Sequence, residues 1–334
     1  MPKLSVSLFA GRPLLDIGSF ARRGPGRRDR LGPAEVSQIA RTVRRAPEAM
    51  VKVLPRDSNK LANVTRHLDY IGRKGELALE TDEGERRSGK GVGRSLIEEW
   101  DLDLEEHRRK VDLGAADGGR PPKLVHKLMF SMPPGTPAQG VLDAARSFLR
   151  EQFALKHRYA FVLHTDEPHP HVHAVVKAVS EQGVRLNIRK ATLREWRAEF
   201  ARHLREQGIE ANATDRAVRG ESHATFRDPI FRAARRGESL HIRARVRALM
   251  TRGIGEQPAV ESGKAQLLRT RTETIEGWRA VAQLLARDGH GELAADVGMF
   301  IQGMKPPRTE NEWLARELLE SARGKDSRQQ TRSR

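Results

Sequence analysis

The chain has 334 residues, enough for one sizeable core plus a second unit, and its 61 Lys and Arg against 44 Asp and Glu give a formal charge of +17 and a pI near 10.7. A surface of that sign suits a polyanion, nucleic acid before membrane. The absence of cysteine excludes disulfide scaffolds, thiolate zinc clusters and cysteine nucleophiles, and no stretch approaches the roughly 18 uninterrupted apolar residues of a membrane span, so a soluble, cytoplasmic protein without membrane insertion is expected.

Residues 1–45 include "RRGPGRRDR", whose arginine, glycine and proline argue against a packed core and predict a flexible basic arm. "AMVKVLP" (49–55) is β-branched and closed by proline, a strand. "SNKLANVTRHLDYIGRKG" predicts a helix of about four turns, with Ser58 as a candidate N-cap and Gly72 and Gly75 as stop signals. "ELALETDEGE" reads as a strand ending in a turn, "GRSLIEEWDLDLEEHRRK" as a charged amphipathic helix, and "KLVHKLMFSMPPG" as a strand closed by Pro133 and Pro134.

A helix over 137–155 packs Val141, Leu142, Ala145, Phe148, Leu149 and Phe153, and the strands "RYAFVLHTD" and "HVHAVVKAV" follow. The helix 191–207 places Leu193, Trp196, Phe200 and Leu204 on one stripe, with Gly208 as terminator, and Arg194 and Arg197 on the polar side, available to a DNA backbone. Residues 213–320 read as a helical basic region and 321–334 as a disordered arginine-rich tail.

"HTDEPHPHVHAVV" (164–176) concentrates the chemistry. Strand alternation sets His171, His173 and Val175 on one face and Val172, Ala174 and Val176 on the other, and the short link "TDEPHP" brings His164 against the pair. Three imidazoles on one sheet face make a divalent metal site with open positions. Asp166 is placed to accept an imidazole N–H or to act as a base, while His169, in the link, ranks below the other three.

A metal on a basic protein points to phosphoryl transfer, with water or a side chain as nucleophile. Of the two tyrosines, Tyr159 alternates onto a core face with Phe161 and Leu163. Tyr70 falls on the polar side of its helix with Asn59, Asn63, Arg66 and Lys74, opposite the stripe Leu61, Val64, Leu68 and Ile71, where it can meet a phosphate.

Together "HLDYIGRKG", "FSMPPG", "HTDEPHPHVHAVVKA" and "LNIRKATLREWRAEFARHLREQG" resemble the DNA relaxases, the mobilisation nucleases of conjugative elements, in the branch typified by the T-DNA border endonuclease; the resemblance covers about residues 48–215. It implies an α+β fold, an antiparallel sheet with flanking helices, in a catalytic domain over 46–212. It also implies Tyr70 as the nucleophile that nicks a transfer origin to leave a 5′-phosphotyrosyl link, and Asp166 as the acidic residue that tunes the site or accepts the tyrosine proton.

His164, His171 and His173 would be the metal ligands, with Mg²⁺ or Mn²⁺ in use, although imidazoles by softness hold Zn²⁺ or Ni²⁺ more tightly. Lys177 stands where many relaxases carry an asparagine and is expected to contact phosphate, as are Arg66 and Lys74 beside Tyr70. Implied partners are single-stranded and supercoiled DNA, accessory DNA-binding proteins and a type IV secretion coupling protein, with export alongside the DNA. The competing readings are a metal-dependent nuclease using water, a rolling-circle replication initiator, which the tyrosine's position upstream of the histidines disfavours, and a non-enzymatic nucleic-acid-binding protein with a structural ion.

Overall fold

The computed structural model describes residues 15–17, 20, 28–54, 58–107, 122–221, 262–309 and a few isolated positions. In chain order the elements are α1 (Pro33–Val43), β1 (Met50–Val53), α2 (Leu61–Ile71), β2 (Leu79–Thr81), β3 (Arg86–Arg87), α3 (Val92–Glu99), β4 (Val125–Ser131), α4 (Ala138–Phe153), β5 (Tyr159–His164), β6 (His171–Lys177), α5 (Lys190–Glu206), α6 (Ser262–Arg287) and α7 (Gly291–Gln302). Their described residues divide into two compact units, one containing Arg45–Thr214 and the other Leu15–Arg44 with the described residues from Asp215 onward.

The first unit is built on a six-stranded antiparallel sheet in the order β1-β4-β6-β5-β2-β3. Alternation along the central strands supplies two cores. Val172, Ala174 and Val176 of β6, with Tyr159 and Phe161 of β5, pack under Phe148 of α4 and Trp196 and Phe200 of α5. Val175, Ala160 and Val162 face the other way, under Val64, Leu68 and Ile71 of α2 and Leu96 and Ile97 of α3. Each such fully buried aliphatic side chain contributes about 1.5–3 kcal/mol, so losing the stripe of α2 would release the helix from the sheet.

Several elements differ from expectation. Ser58 is not the cap of α2: its carbonyl accepts the Leu124 N–H at 2.7 Å, and the helix begins at Leu61, whose N–H donates to the Glu106 carboxylate at 3.1 Å. A carboxylate from 45 positions away does the work of the local cap. The charged helix stops at Trp100, which is fully buried, and Asp101 turns with φ +52° before a short helical stretch over 102–107. The β2 turn closes onto β3, a two-residue strand that the sequence did not signal.

In the second unit, part of the expected flexible arm is ordered helix. Val36, Ile39, Ala40 and Val43 of α1 recur at helical spacing and enter a core with Leu15, Ile17, Phe20, Trp278, Leu285 and Phe300. Arg44 Nε donates to Asp296 at 3.0 Å, tying α1 to α7, and the Trp278 indole N–H donates to the Val218 carbonyl at 2.8 Å. "RRGPGR" before Arg28 and the tail 321–334 lie outside the described residues. No helix among the described residues is long and apolar enough to cross a membrane.

After α2 the chain makes a left-handed turn: Arg73, Lys74 and Gly75 have φ of +50°, +56° and +97°. Only the glycine adopts this without penalty; each of the other two costs roughly 1–2 kcal/mol. Gly75 is also where the turn lies against Gly89, whose N–H donates to its carbonyl at 3.0 Å, and a Cβ at Gly75 would sit 2.3 Å from the Gly89 carbonyl carbon. A Gly75→Ala chain is therefore expected to lose roughly 2–4 kcal/mol in urea titration. An unchanged midpoint would show that the turn relaxes freely.

Candidate active site

β5 and β6 place the three histidines by register. His164 stands directly opposite His171, and His173 stands opposite Val162, on the face covered by α2. The ring centroids lie 4.8 to 5.3 Å apart, all three residues are buried, and one nitrogen from each lies within 4.8 Å of the others.

Hydrogen bonds fix two of the rings. His164 Nε2 donates to the Ile71 carbonyl at 2.7 Å, leaving Nδ1 as acceptor, and His171 Nδ1 donates to the His169 carbonyl at 3.1 Å, leaving Nε2. A backbone carbonyl on the far nitrogen is the usual way a metal-binding imidazole is held. His173 Nδ1 is buried with no hydrogen-bond partner among the described residues.

Burial, followed by the neighbouring imidazoles and Arg73, pushes the His173 pKa down to about 3. Burial lowers His164 too, against the opposing pull of the Ile71 carbonyl. Neutral imidazoles are the ligand form, and an orphaned buried nitrogen among converging donors fits a divalent cation. His169 stays outside the triad, 2.8 Å from the Glu167 carboxylate.

The same shifts have a consequence for stability. Burial also holds His126 at about 4. Each of these histidines has a folded-state pKa below its unfolded value of 6.5, so the unfolded chain binds protons that the native state refuses. Their stabilisation is full above pH 6.5 and is lost as pH falls toward 4 and then 3. In the absence of divalent ions the urea midpoint should fall between pH 7 and pH 4.5; a flat profile would contradict neutral burial.

Tyr70 comes from α2 and is 50 % exposed. Its ring is stacked on His67 at 6.4 Å between centroids and an interplanar angle of 19°, and the Arg73 guanidinium lies over it at 5.5 Å. Both neighbours also touch the triad. His67 meets His173 edge-on at 6.3 Å, while Arg73 Nη2 lies 3.5 Å from His164 Nδ1 and pairs with Asp166.

The sequence pointed to neither neighbour. His67 could have been found, because it precedes Tyr70 by one helical turn. Arg73 lies past the helix end and is aimed by the left-handed turn.

Asp166 bonds Arg73 rather than an imidazole. Desolvation, which alone raises its pKa, is outweighed by its own backbone N–H and by Arg73, so the carboxyl is held below its ordinary range. That makes it a poorer proton acceptor than the sequence suggested and a better anchor for a cation.

Of the expected DNA contacts, Arg66 and Lys74 are exposed and line, with Ala62, Thr65, Asp69 and Tyr70, a depression of about 720 Å³. Lys177 is a correction. It shares the histidine face but lies at the other end of a seven-residue strand, about 20 Å from His171 and about 13 Å from His173 at roughly 3.3 Å per residue, buried and paired with Glu181 at 3.1 Å. Arg194 and Arg197 are set apart as well: α5 packs on the opposite face of the sheet, and Arg197 Nε donates to the Leu193 carbonyl of its own helix at 3.2 Å.

Comparison with known proteins matches the same part of the chain. Residues 70–209, from the exposed tyrosine to the end of α5, match the family model of the MobA/VirD2-like relaxase nuclease domain. The chain is 27 % identical over 198 residues to the T-DNA border endonuclease VirD2 of Rhizobium radiobacter, covering 52 % of this chain and 43 % of the relative. It is 25 % identical over 211 residues to VirD2 of Agrobacterium fabrum strain C58, covering 59 % and 46 %, and 26 % identical over 188 residues to that of Rhizobium rhizogenes, covering 52 % and 42 %. It thus spans less than half the length of these curated relatives. Over the domain that carries the histidine triad, the chain is similar to the MobA/VirD2-like relaxases.

Proposed function

We propose that the chain is a site- and strand-specific DNA relaxase in which Tyr70 attacks the scissile phosphate of one strand at a transfer origin. The observation that carries this reading is the position of the Tyr70 ring, exposed to solvent yet gripped between His67 and Arg73, each of which reaches the triad. In the reaction the Tyr70 Oη–P bond forms as the bond from phosphorus to the 3′ oxygen breaks. The phenolic proton is released, the departing oxygen takes one up, and the products are a 5′-phosphotyrosyl link and a 3′-hydroxyl.

A divalent cation held by His164, His171 and His173 would supply charge to a non-bridging phosphate oxygen; Mg²⁺ or Mn²⁺ is our expectation, with Zn²⁺ or Ni²⁺ favoured by ligand softness. Arg66 and Lys74 hold the flanking backbone, and Asp166 tunes the site through Arg73. Accessory proteins, a type IV coupling protein and export from the donor cytoplasm with the DNA belong to the same proposal. They rest on the resemblance and on the VirD2 relatives.

The purified protein, with Mn²⁺ or Mg²⁺ and labelled single-stranded oligonucleotides tiling the DNA around its gene, tests the reading. Label migrating with the protein on a denaturing gel, only when metal is present, is expected. Metal-dependent cleavage with no label on the protein would replace it with the water-nucleophile nuclease.

A further inference from the structure

We infer that Arg73 is a catalytic residue of this chain, one that leaves Asp166 to bind the scissile phosphate, an inference that rests on the relaxase reading above. The guanidinium lies over the Tyr70 ring, pairs with the Asp166 carboxylate and approaches His164 Nδ1. A phosphate attacked by Tyr70 and touching the triad must lie between them, and that space is the one Arg73 borders.

The chemistry of the group suits the task. Guanidinium presents paired donors that match two oxygens of a phosphate, and it stays charged at every working pH. Its present partner is displaceable. Asp166 is 56 % exposed, so its pairing with Arg73 is the kind that solvent screens and that a dianionic transition state outcompetes.

The backbone supports the same conclusion. Arg73 and Lys74 are two successive non-glycine residues held at positive φ immediately after the helix that carries the tyrosine. Such strain persists where the surroundings enforce it, and here the enforced turn directs one cation at the nucleophile and leaves the other in the groove beside it. As the Tyr70 Oη–P bond forms and the P–O3′ bond breaks, charge grows on the non-bridging oxygens; Arg73 would neutralise it without exchanging a proton.

The test compares the full chain with its Arg73→Gln and Arg73→Lys variants on one nicked oligonucleotide in two forms, an ordinary phosphodiester and an uncharged methylphosphonate at the scissile position. On the phosphodiester, Arg73→Gln should slow adduct formation about 10²–10³-fold, with Arg73→Lys in between. On the methylphosphonate, which starts uncharged and carries one negative charge fewer through the transition state, Arg73→Gln should lose much less.

An equal loss on both substrates would make Arg73 a structural residue and overturn the inference, as would an Arg73→Gln variant with no loss. Wild type that forms no adduct on any oligonucleotide would instead bring down the relaxase reading itself, and this inference with it. A urea midpoint for each variant separates misfolding from the rate effect.

Discussion

Tyr70→Phe should abolish the protein–DNA adduct while leaving the fold and DNA binding in place. In the proposed reaction this removes the attacking oxygen, and no second tyrosine can replace it, because Tyr159 is buried on the opposite side of the sheet and its phenol is pushed up to about 12 by burial and then by Asp82. The loss should be at least about ten-thousandfold, the scale at which enzymes lose rate with their nucleophile. The phenylalanine ring keeps its stacking on His67 and its contact with Arg73, and a half-exposed site of this kind should change stability by no more than about 0.5 kcal/mol. Denaturing gels measure the adduct, and filter binding at fixed salt measures affinity. A variant that still cleaves at the wild-type rate would transfer the chemistry to water.

His171→Ala is the second large effect. It removes one of three converging nitrogens and breaks the bond to the His169 carbonyl that orients the ring. Cleavage at saturating DNA should fall about a thousandfold, corresponding to the several kcal/mol of charge stabilisation a bound cation provides. The stabilisation of the folded chain by added Mn²⁺ should disappear in parallel, since a ligand stabilises only in proportion to its affinity for the native state. Titration calorimetry and melting curves with and without metal check both. Undiminished metal-induced stabilisation in the variant would show that the ion binds elsewhere.

The site was legible wherever a period carried it. Two-residue alternation along "HVHAVVKAV" assigns Val172, Ala174 and Val176 to one core and Val175 to the other, as found, and the helical stripe of α2 separates exposed Tyr70 from buried Leu68 and Ile71. Contacts made across the fold left no local trace. Glu106 caps α2 from a separate segment, and Arg73 reaches Asp166, 93 positions away, through a turn whose only sequence signals are Gly72 and Gly75.

Lys177 shows the converse. It falls on the histidine face by alternation, but the strand carries it away from the histidines to Glu181. In α1, the helical spacing of Val36, Ile39, Ala40 and Val43 was present, but it was overshadowed by the arginines, glycines and prolines before it.

The register of β5 against β6 also bears on the order in which the molecule assembles. His164 and His171 meet across a hairpin whose link is only "TDEPHP", so closing it costs little chain entropy and three imidazoles gather early in folding. The tyrosine helix must dock from far upstream, and its grip on the triad through His67 and Arg73 forms across long loops. With the triad as the cation site and Tyr70 as the nucleophile, as proposed, a newly made chain would acquire the capacity to hold a cation before it acquires a nucleophile, and an incompletely folded copy would bind metal without being able to cut DNA.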